Sequence, residues 1–249
     1  MLSDAQWAVL EPLVETCRPR GKTPPQDLRR TLSVILWRHQ NGARWRAAQI
    51  FIRWARLGAW ARLLGLVQAR GGRVLAVEPA PTVLPLLRAN LARSGLGNVT
   101  VYAGALSSGA GHASLCYTVG NEEYAALGPP SHPQAPARFA SAEVPTEALD
   151  TLVERLGLQP RFLKIDTEGA EALVLAGAQV TLVQHRPVVM SELDDRLLGP
   201  RGASARAVLE GLEGGGYEVY DAFSGARLRA AALTTPFVGE ILALPAEAA

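Results

Sequence analysis

The feature that most constrains the fold of this chain is a change of character around Gln68 to Arg73, which we call the seam. Residues 1 to 73 carry 13 Lys and Arg against 4 Asp and Glu, a net charge of +9, whereas the remaining residues carry 12 against 19, a net charge of −7. All five tryptophans lie upstream of the seam. The near-neutral total of +2 therefore hides two oppositely charged segments, and such asymmetry indicates a first segment that faces nucleic acid.

The basic first segment has the pattern of a small helical domain. Ser3 and Gln6 have the spacing of a capping box, which predicts a helix from about residue 4 to residue 15, and three further short elements follow before Gln68. Two interpretations remain open for this segment. Its arginines contact DNA phosphates in a helix-turn-helix module, or they form the solvated face of a helical bundle.

Downstream of the seam, short apolar strands alternate with helical patterns, which predicts an α/β fold with a mainly parallel sheet and helices on both faces. Strands are predicted at 74–77, 98–102, 112–118, 162–165, 187–190, 217–220 and 237–244, helices from 81 and at 146–156, 169–179 and 203–213, and a long loop at 120–140. Ligands of such sheets bind beyond the carboxyl ends of the strands. We therefore expect a site near Glu78, Ala105, Asp166 and Glu192.

Cysteine and histidine give no metal-site pattern. Cys17 and Cys116 are far apart, which is typical of free thiols in a reducing compartment. The histidines are also scattered, so we expect no zinc or haem site around them. No apolar run approaches the roughly 18 residues that a membrane span requires, and Asp4 argues against a secretory signal. These observations predict a cytoplasmic protein with no membrane partner.

Several spaced motifs upstream of the seam carry a family resemblance. They are Leu2-Ser3-Asp4-Ala5-Gln6-Trp7, Gly42-Ala43-Arg44-Trp45-Arg46 and Gly58-Ala59-Trp60-Ala61-Arg62-Leu63-Leu64. With them, residues 2–68 resemble the N-terminal domain of DDE-type insertion-sequence transposases. In that family an RNase-H-like catalytic domain with three metal-binding carboxylates follows, and nothing downstream resembles it. The resemblance implies possible residual DNA binding through residues 1–70, without transposase activity.

A second set of motifs lies downstream, the most specific being Phe162-Leu163-Lys164-Ile165-Asp166-Thr167-Glu168-Gly169-Ala170-Glu171. Val77-Glu78-Pro79, Ala105-Leu106-Ser107 and Ala148-Leu149-Asp150-Thr151-Leu152 stand before it in order. With these motifs, residues from about 72 to 244 resemble the FkbM family of S-adenosylmethionine-dependent methyltransferases. The resemblance implies a Rossmann-like domain at residues 71–249, S-adenosylmethionine as cofactor, and O-methylation of a hydroxyl on a sugar or another small metabolite.

The resemblance also implies that a part is missing. Members of the family begin with a strand and a glycine-rich turn of the form Val-Asp-Val-Gly-Ala-Asn-Xaa-Gly, whose glycines let the backbone approach the methionine end of the cofactor. The residues before Arg73 contain no acid-Xaa-Gly-Xaa-Xaa-Gly pattern. A missing central strand leaves neighbouring backbone groups unsatisfied, at about 1–3 kcal/mol for each buried group. We therefore expect a sheet that is incomplete at its first strand and a methyltransferase with impaired catalysis.

Within this resemblance, Glu78 is expected to hold the ribose of the cofactor, because an acid at the end of a second strand can accept both hydrogen bonds of a diol. Ala105 and Leu106 are expected to flank the adenine. Asp166 is the first choice for the catalytic side of the pocket, and Glu168 and Glu192 are further catalytic candidates.

Two questions remain open at the level of the sequence. The acids at positions 166, 168 and 171 fit a divalent cation site, a cluster that orients the substrate, or charges that complement a helix dipole. The alternative function for the whole chain is a DNA-binding, transposase-derived module attached to a passive methyltransferase remnant.

Overall fold

The computed structural model describes residues 72–118, 121–128 and 139–246. The predicted helical module at residues 1–70 lies outside the described residues, as does most of the seam. Within the described part of the chain, no helix is long and apolar enough to cross a membrane.

The described residues form eleven strands and six α-helices. The strands are β1 (Val74–Val77), β2 (Val99–Tyr102), β3 (Ala105–Leu106), β4 (Gly111–Thr118), β5 (Asn121–Leu127), β6 (Ala140–Glu147), β7 (Phe162–Ile165), β8 (Val188–Asp194), β9 (Tyr217–Asp221), β10 (Arg227–Leu228) and β11 (Val238–Pro245). The helices are α1 (Leu84–Ser94), α2 (Leu149–Leu156), α3 (Glu171–Ala176), α4 (Gln179–His185), α5 (Asp195–Leu198) and α6 (Ala205–Gly214), with short 3₁₀ helices at Gly199–Arg201 and Ala230–Ala232. This mixture confirms the predicted α/β class.

The largest sheet has five strands in the order β10-β9-β11-β8-β7. β7 and β8 are parallel, and the remaining pairs are antiparallel. The adjacent strands β8 and β11 form a well-buried centre of this sheet, since Val189, Leu193, Ile241 and Ala243 are each 0% exposed. This rigid centre fixes the positions of the residues that end β7 and β8.

A second sheet has four strands in the order β3-β6-β4-β5. β6 pairs parallel with β3 and antiparallel with β4. β4 lies in this sheet and not in the sheet of β7, so the expectation that residues 112–118 extend the same sheet was wrong. The long loop predicted at 120–140 was also wrong in its first part, because β5 pairs with β4 there. A small apolar cluster of Ala80, Ala105, Leu115 and Val144 forms the core beside this sheet.

β1 and β2 form a separate two-stranded sheet. The amide of Val74 donates to the carbonyl of Asn98 and the amide of Glu78 to that of Tyr102, so the bonds advance together along both strands, as in a parallel pair. In a dinucleotide-type sheet the first strand lies between the second and the fourth, in the order 3-2-1-4-5. Without the first strand, such a sheet divides into two pairs, one of strands 3 and 2 and one of strands 4 and 5. Among the described residues, β2-β1 and β7-β8 are two parallel pairs that lie in separate sheets.

The helices predicted from 81 and at 146–156 and 203–213 are present with shifted bounds, as α1, α2 and α6. The helix predicted at 146–156 begins later, at Leu149, because residues 140–147 form β6. The helix predicted at 169–179 is two helices, α3 and α4, with a break at Gly177 and Ala178. Gly95 ends α1 with φ +63°, as expected for a helix stop.

The chain divides into two compact units. Among the described residues one unit comprises 72–75, 88–100 and 222–225, and the other comprises 76–87, 101–221 and 226–246. Every candidate site residue named above lies in the second unit.

Candidate active site

Charged side chains lie on one face of the five-stranded sheet, near the carboxyl ends of β7 and β8. Lys164 on β7 is in register with Met190 on β8, and Glu192 follows two residues later. Glu240 on β11 is the direct cross-strand partner of Glu192. Side chains that are in register or two residues apart point to the same face of a sheet, so Lys164, Glu192 and Glu240 share one face.

Lys164 connects this face to Asp166, which follows β7 immediately. Its Nζ lies 2.7 Å from Oε1 of Glu240 and 3.5 Å from Oδ2 of Asp166. The side chains of Lys164 and Glu240 are 16% and 3% exposed, whereas that of Asp166 is 31% exposed. Burial lowers the pKa of Lys164, but the attraction of Asp166, Glu240 and Glu192 outweighs burial and raises the pKa above its ordinary value. The amine is therefore a charged ammonium group.

The loop between β7 and α3 is closed by Glu171, which is only 2% exposed. Its Oε1 accepts hydrogen bonds from the amide and the hydroxyl of Thr167, at 2.8 and 2.9 Å, and from the amide of Gly169 at 3.2 Å. Glu168 lies between these donors and adopts the left-handed conformation, with φ 52°. Such a conformation costs about 1–3 kcal/mol in a residue with a side chain and is concentrated at functional sites. Glu171 thus fixes the backbone that presents Glu168.

Two of the carboxyl groups have strongly raised pKa values. Burial, followed by the negative charges of Asp166 and Glu192, raises the pKa of Glu168 to about 9. Burial and the charge of Asp166 raise the pKa of Glu192 to about 7, although Lys164 opposes this shift. Glu168 is therefore protonated at neutral pH, whereas Glu192 exchanges its proton near neutrality. We call Lys164, Asp166, Glu168, Glu192 and Glu240 the charged cluster.

Gly169, in the loop that carries Glu168, packs closely against Leu197 and Arg201. Gly169 has φ +98°, and a Cβ at this position would lie 2.5 Å from the carbonyl oxygen of Leu197. Arg201 donates to that same oxygen at 2.9 Å and to the carbonyl oxygen of Leu127, at the end of β5, at 2.6 Å. Burial lowers the pKa of Arg201 against the opposing pull of Glu171 and Glu168. This arginine therefore ties the loop region to the four-stranded sheet.

The candidate cofactor residues lie at the end of β1 and along β3. Oε1 of Glu78 accepts a hydrogen bond from the amide of Ala80 at 2.8 Å. Ala80 packs in the same apolar cluster as Ala105, and both are almost fully buried. Leu106, the next residue of β3, is half-buried. We call Glu78, Ala80, Ala105 and Leu106 the small-residue region.

The backbone approaches itself closely on both sides of β3. A Cβ on Gly104 would lie 2.7 Å from the carbonyl oxygen of Pro145 and 2.8 Å from the ring of Tyr102. A Cβ on Gly177, between α3 and α4, would lie 2.1 Å from the carbonyl oxygen of Ser107. These two glycines leave no room for side chains, so Ala105 and Leu106 are held by backbone packing.

Asp150, in one of the motifs singled out in the sequence, has a structural role. Its carboxylate accepts hydrogen bonds from the amides of Val180 and Thr181, at 2.9 and 2.7 Å, in the first turn of α4. A carboxylate in this place satisfies amides that have no partner within the helix. Asp150 therefore connects α2 to α4.

The structure brings Asp166, Glu168 and Glu192 close enough that the charges of Asp166 and Glu192 raise the pKa of Glu168 and the charge of Asp166 raises the pKa of Glu192. It brings Glu78 next to Ala105 through Ala80.

Sequence reasoning missed Lys164 and Glu240. The available signal was a charged residue inside an otherwise apolar strand, because such a charge is rarely buried without a partner. Within residues 72–118, 121–128 and 139–246, no group of three His, Cys, Asp or Glu residues is arranged to hold a metal ion.

Comparisons with known proteins give two family matches. Residues 50–219 match the model described as the methyltransferase FkbM domain. Residues 2–64 match the model described as a putative transposase of the IS4/5 family, DUF4096. The two matches overlap at residues 50–64, and both resemblances found in the sequence are confirmed. No curated protein matches the chain.

One solved structure, the crystal structure of methyltransferase FkbM from Methylobacillus flagellatus KT, is similar to this chain, with 19% identity and a TM-score of 0.43. The similarity covers 74% of this chain and 40% of that chain, so this protein spans less than half the length of that one. The match to the family model covers more than half of the present sequence, from residue 50 to residue 219. The chain therefore belongs to the FkbM methyltransferase family.

Proposed function

We propose that this protein is an S-adenosylmethionine-dependent O-methyltransferase that acts on a hydroxyl of a sugar or another small metabolite, with weakened cofactor binding. The observation that carries the proposal is the charged cluster, in which carboxyl groups of different protonation state meet at the carboxyl ends of two parallel strands. Ligands of α/β sheets bind at this edge. O-methylation requires removal of the proton of the hydroxyl group. A carboxylate of the charged cluster can accept this proton as a general base.

The protonation states assign a role to each acid. Glu192, whose pKa is raised to about 7, accepts the proton of the acceptor hydroxyl, because a base is most effective when its pKa lies near the working pH. Glu168, whose pKa is raised to about 9, remains protonated at neutral pH. Its carboxyl group donates a hydrogen bond to an oxygen of the molecule that receives the methyl group. Asp166 is more exposed than Lys164 and Glu240, and it orients the acceptor through its carboxylate.

The residues of the small-residue region fit the cofactor that the family uses. A carboxylate offers up to about four acceptor positions, so Glu78, at the end of β1, has the chemistry that two ribose hydroxyls require. The close backbone contacts at Gly104 and Gly177 fix the position of β3, where half-buried Leu106 offers a small apolar surface for a flat ring and buried Ala105 packs beneath it. When bound, S-adenosylmethionine supplies an electrophilic methyl group on a sulfonium.

Weakened binding follows from the sequence between the start of the family match and β1. Residues 50–71 contain no Asp or Glu and no acid-Xaa-Gly-Xaa-Xaa-Gly pattern, although the family match begins at residue 50. The glycines of that pattern allow the backbone to approach the cofactor, so their absence removes close contacts. We expect a dissociation constant of about 10–100 μM, which corresponds to roughly 5.5–7 kcal/mol.

Calorimetric titration of the full chain with S-adenosylmethionine tests the proposal. In Glu78→Gln the amide oxygen still accepts from Ala80, but the side chain loses the negative charge and the second acceptor. We expect at least about tenfold weaker binding, or 1.4 kcal/mol, from the lost charged hydrogen bond. Glu154→Gln, on the exposed side of α2, is the matched control and should bind as the unaltered chain does. A folded chain that binds no S-adenosylmethionine would contradict the proposal.

The acceptor class is tested by incubating the protein with S-adenosylmethionine and a panel of monosaccharides and polyols. Formation of S-adenosylhomocysteine above the rate without acceptor supports a hydroxyl acceptor. Glu192→Gln should slow that transfer by about 10²–10⁴-fold if Glu192 is the base. Transfer only to amines or thiols would contradict O-methylation.

A second candidate function is DNA binding through residues 1–70, and the match to the transposase model at residues 2–64 favours it. It predicts gel-shift affinity that weakens steeply with salt, with a slope of about −0.9 for each phosphate contact. Replacing Arg44 and Arg46 with glutamine should reduce the slope, while the same change at Arg227 and Arg229 should not. Equal slopes in both double variants would contradict DNA binding through the first segment.

A further inference from the structure

Lys164 is distinctive in the composition of this chain. The chain has 25 Lys and Arg residues, of which only Lys22 and Lys164 are lysines. Arginine therefore serves nearly every cationic position, yet the position inside the charged cluster is a lysine. The two side chains differ in chemistry, because lysine is a compact point charge whose pKa responds to its surroundings, whereas arginine is a planar fork that stays charged.

Glu240 holds Lys164 in place at a cost in stability. The pair is largely buried, with an Nζ to Oε1 distance of 2.7 Å. The other oxygen of Glu240, Oε2, is buried and has no hydrogen-bond partner among the described residues. Replacement of a buried ion pair by apolar groups of similar volume is often neutral or stabilising, so the pair is weak evidence of a purely structural role. Costs of this kind are typical of functional sites.

The position of Lys164 gives it influence over two carboxylates at once. Its Nζ is 3.5 Å from Asp166 Oδ2, and its charge opposes the upward shift in the pKa of Glu192. The other groups that act on Glu192 are Asp166, Glu240 and Glu171, and all three favour its protonated form. Among these neighbours, Lys164 is the one that favours the ionised carboxylate.

We propose that Lys164, anchored by Glu240, is a positioning residue of the acceptor site that orients the carboxylates of Asp166 and Glu192 toward the acceptor hydroxyl. The proposal rests on the proposed function, and it assigns Glu240 to the anchoring of Lys164 and not to contact with the acceptor.

Nuclear magnetic resonance titration tests the proposal without cofactor or acceptor. In Lys22→Arg protein labelled with ¹³C-lysine, the single lysine signal belongs to Lys164. Glu240→Gln keeps the shape of the anchor but removes its charge, and should lower the titration midpoint of Lys164 by about 1–3 pH units.

In protein labelled with ¹³C-glutamate, the Glu192 signal is the one lost in Glu192→Gln. Lys164→Met should raise its midpoint by about one pH unit or more.

Two controls separate positioning from a general structural effect. Lys164→Arg retains a positive charge and should restore the Glu192 midpoint most of the way. Arg227→Met removes an exposed cation that pairs with Glu218 and should leave the midpoint unchanged.

Equal Glu192 midpoints in the unaltered chain and in Lys164→Met would overturn the proposal. If Lys164→Met does not fold, an unmoved Lys164 midpoint in Glu240→Gln would overturn it instead. Failure to bind S-adenosylmethionine contradicts the proposed function alone, since these titrations use the free protein.

Discussion

In the charged cluster, interactions between charged side chains fix the positions of the residues. In the small-residue region, close packing of the backbone fixes them. Lys164, Glu240 and Asp166 interact through charges at 2.7 and 3.5 Å. Around Ala105 and Leu106 the contacts are those of glycines packed against carbonyl oxygens. The difference teaches that the two halves of the candidate site respond to different variables. The charged cluster should respond to pH, and the small-residue region should respond to side-chain volume.

The largest expected effect is at Gly169, in the loop that presents Glu168. Gly169→Ala meets two costs, a left-handed φ of +98° and a Cβ 2.5 Å from the carbonyl oxygen of Leu197. We expect a loss of about 4 kcal/mol in the free energy of unfolding, measured by urea denaturation. Gly157→Ala is the control, because Gly157 has φ +56° but nothing within 4 Å, and should lose only about 1 kcal/mol. Equal losses would mean that the loop does not pack against Leu197.

A smaller loss is expected at Gly104, the residue before Ala105 of the small-residue region. Its φ is not in the left-handed range, so the cost of Gly104→Ala is the clash with the oxygen of Pro145 and the ring of Tyr102. The tyrosine ring can shift more easily than backbone, so we expect about 2.5 kcal/mol in urea denaturation. Because this cost is steric, it should be the same at pH 5 and pH 8. A loss that changes with pH would break the distinction between the two regions.

Glu171 tests the backbone of the loop from a residue outside the charged cluster. In Glu171→Ala the two amides and the hydroxyl that now donate to Oε1 lose their acceptor in a buried place. We expect a loss of about 2 kcal/mol by urea denaturation, since unsatisfied buried donors cost about 1–3 kcal/mol each and part of the loop can rearrange. Glu154→Ala, at an exposed position of α2, should change stability by less than about 0.5 kcal/mol. Similar losses in both variants would contradict the loop-closing role.

Four of the strands in the five-stranded sheet could be predicted from the sequence, but most of their pairing could not. The apolar runs at β7 and β8 mark two parallel strands, whereas the pairs made by β9, β10 and β11 are antiparallel and differ from the mainly parallel sheet that was expected. The four-stranded sheet could not be predicted in the same way. Residues 140–147, Ala-Ser-Ala-Glu-Val-Pro-Thr-Glu, have low strand propensity, and their pairing with β4 and β3 decides their structure. Proline within this strand also argued against it, because proline cannot donate to a sheet ladder.

The sequence suggests candidate site residues, but it does not indicate their protonation. A carboxylate at a strand end has the same sequence signal whether it is exposed or buried, and burial is the largest cause of the raised pKa values of Glu168 and Glu192. Likewise, Glu240 lies 76 residues from Lys164, and only the pairing of β11 with β8 brings them together.

The smallest expected effect is also the most specific to the charged cluster. The pKa of Glu168 is about 9 in the folded chain, against an ordinary value of 4.5. The folded state thus binds more protons than the unfolded state between these values, so stability falls as pH rises from about 4.5 to 9. Glu168→Gln has no proton to lose, and its free energy of unfolding should fall less over this window. The difference at pH 8 relative to pH 5 should be at least about 1.4 kcal/mol, the equivalent of one pKa unit. Glu192 contributes a further fall between about 4.5 and 7 in both proteins, so its contribution cancels in the difference between them. Parallel pH profiles for the two proteins, measured by urea denaturation at intervals from pH 5 to pH 9, would show that Glu168 is ionised in the folded chain and would remove its role as a hydrogen-bond donor.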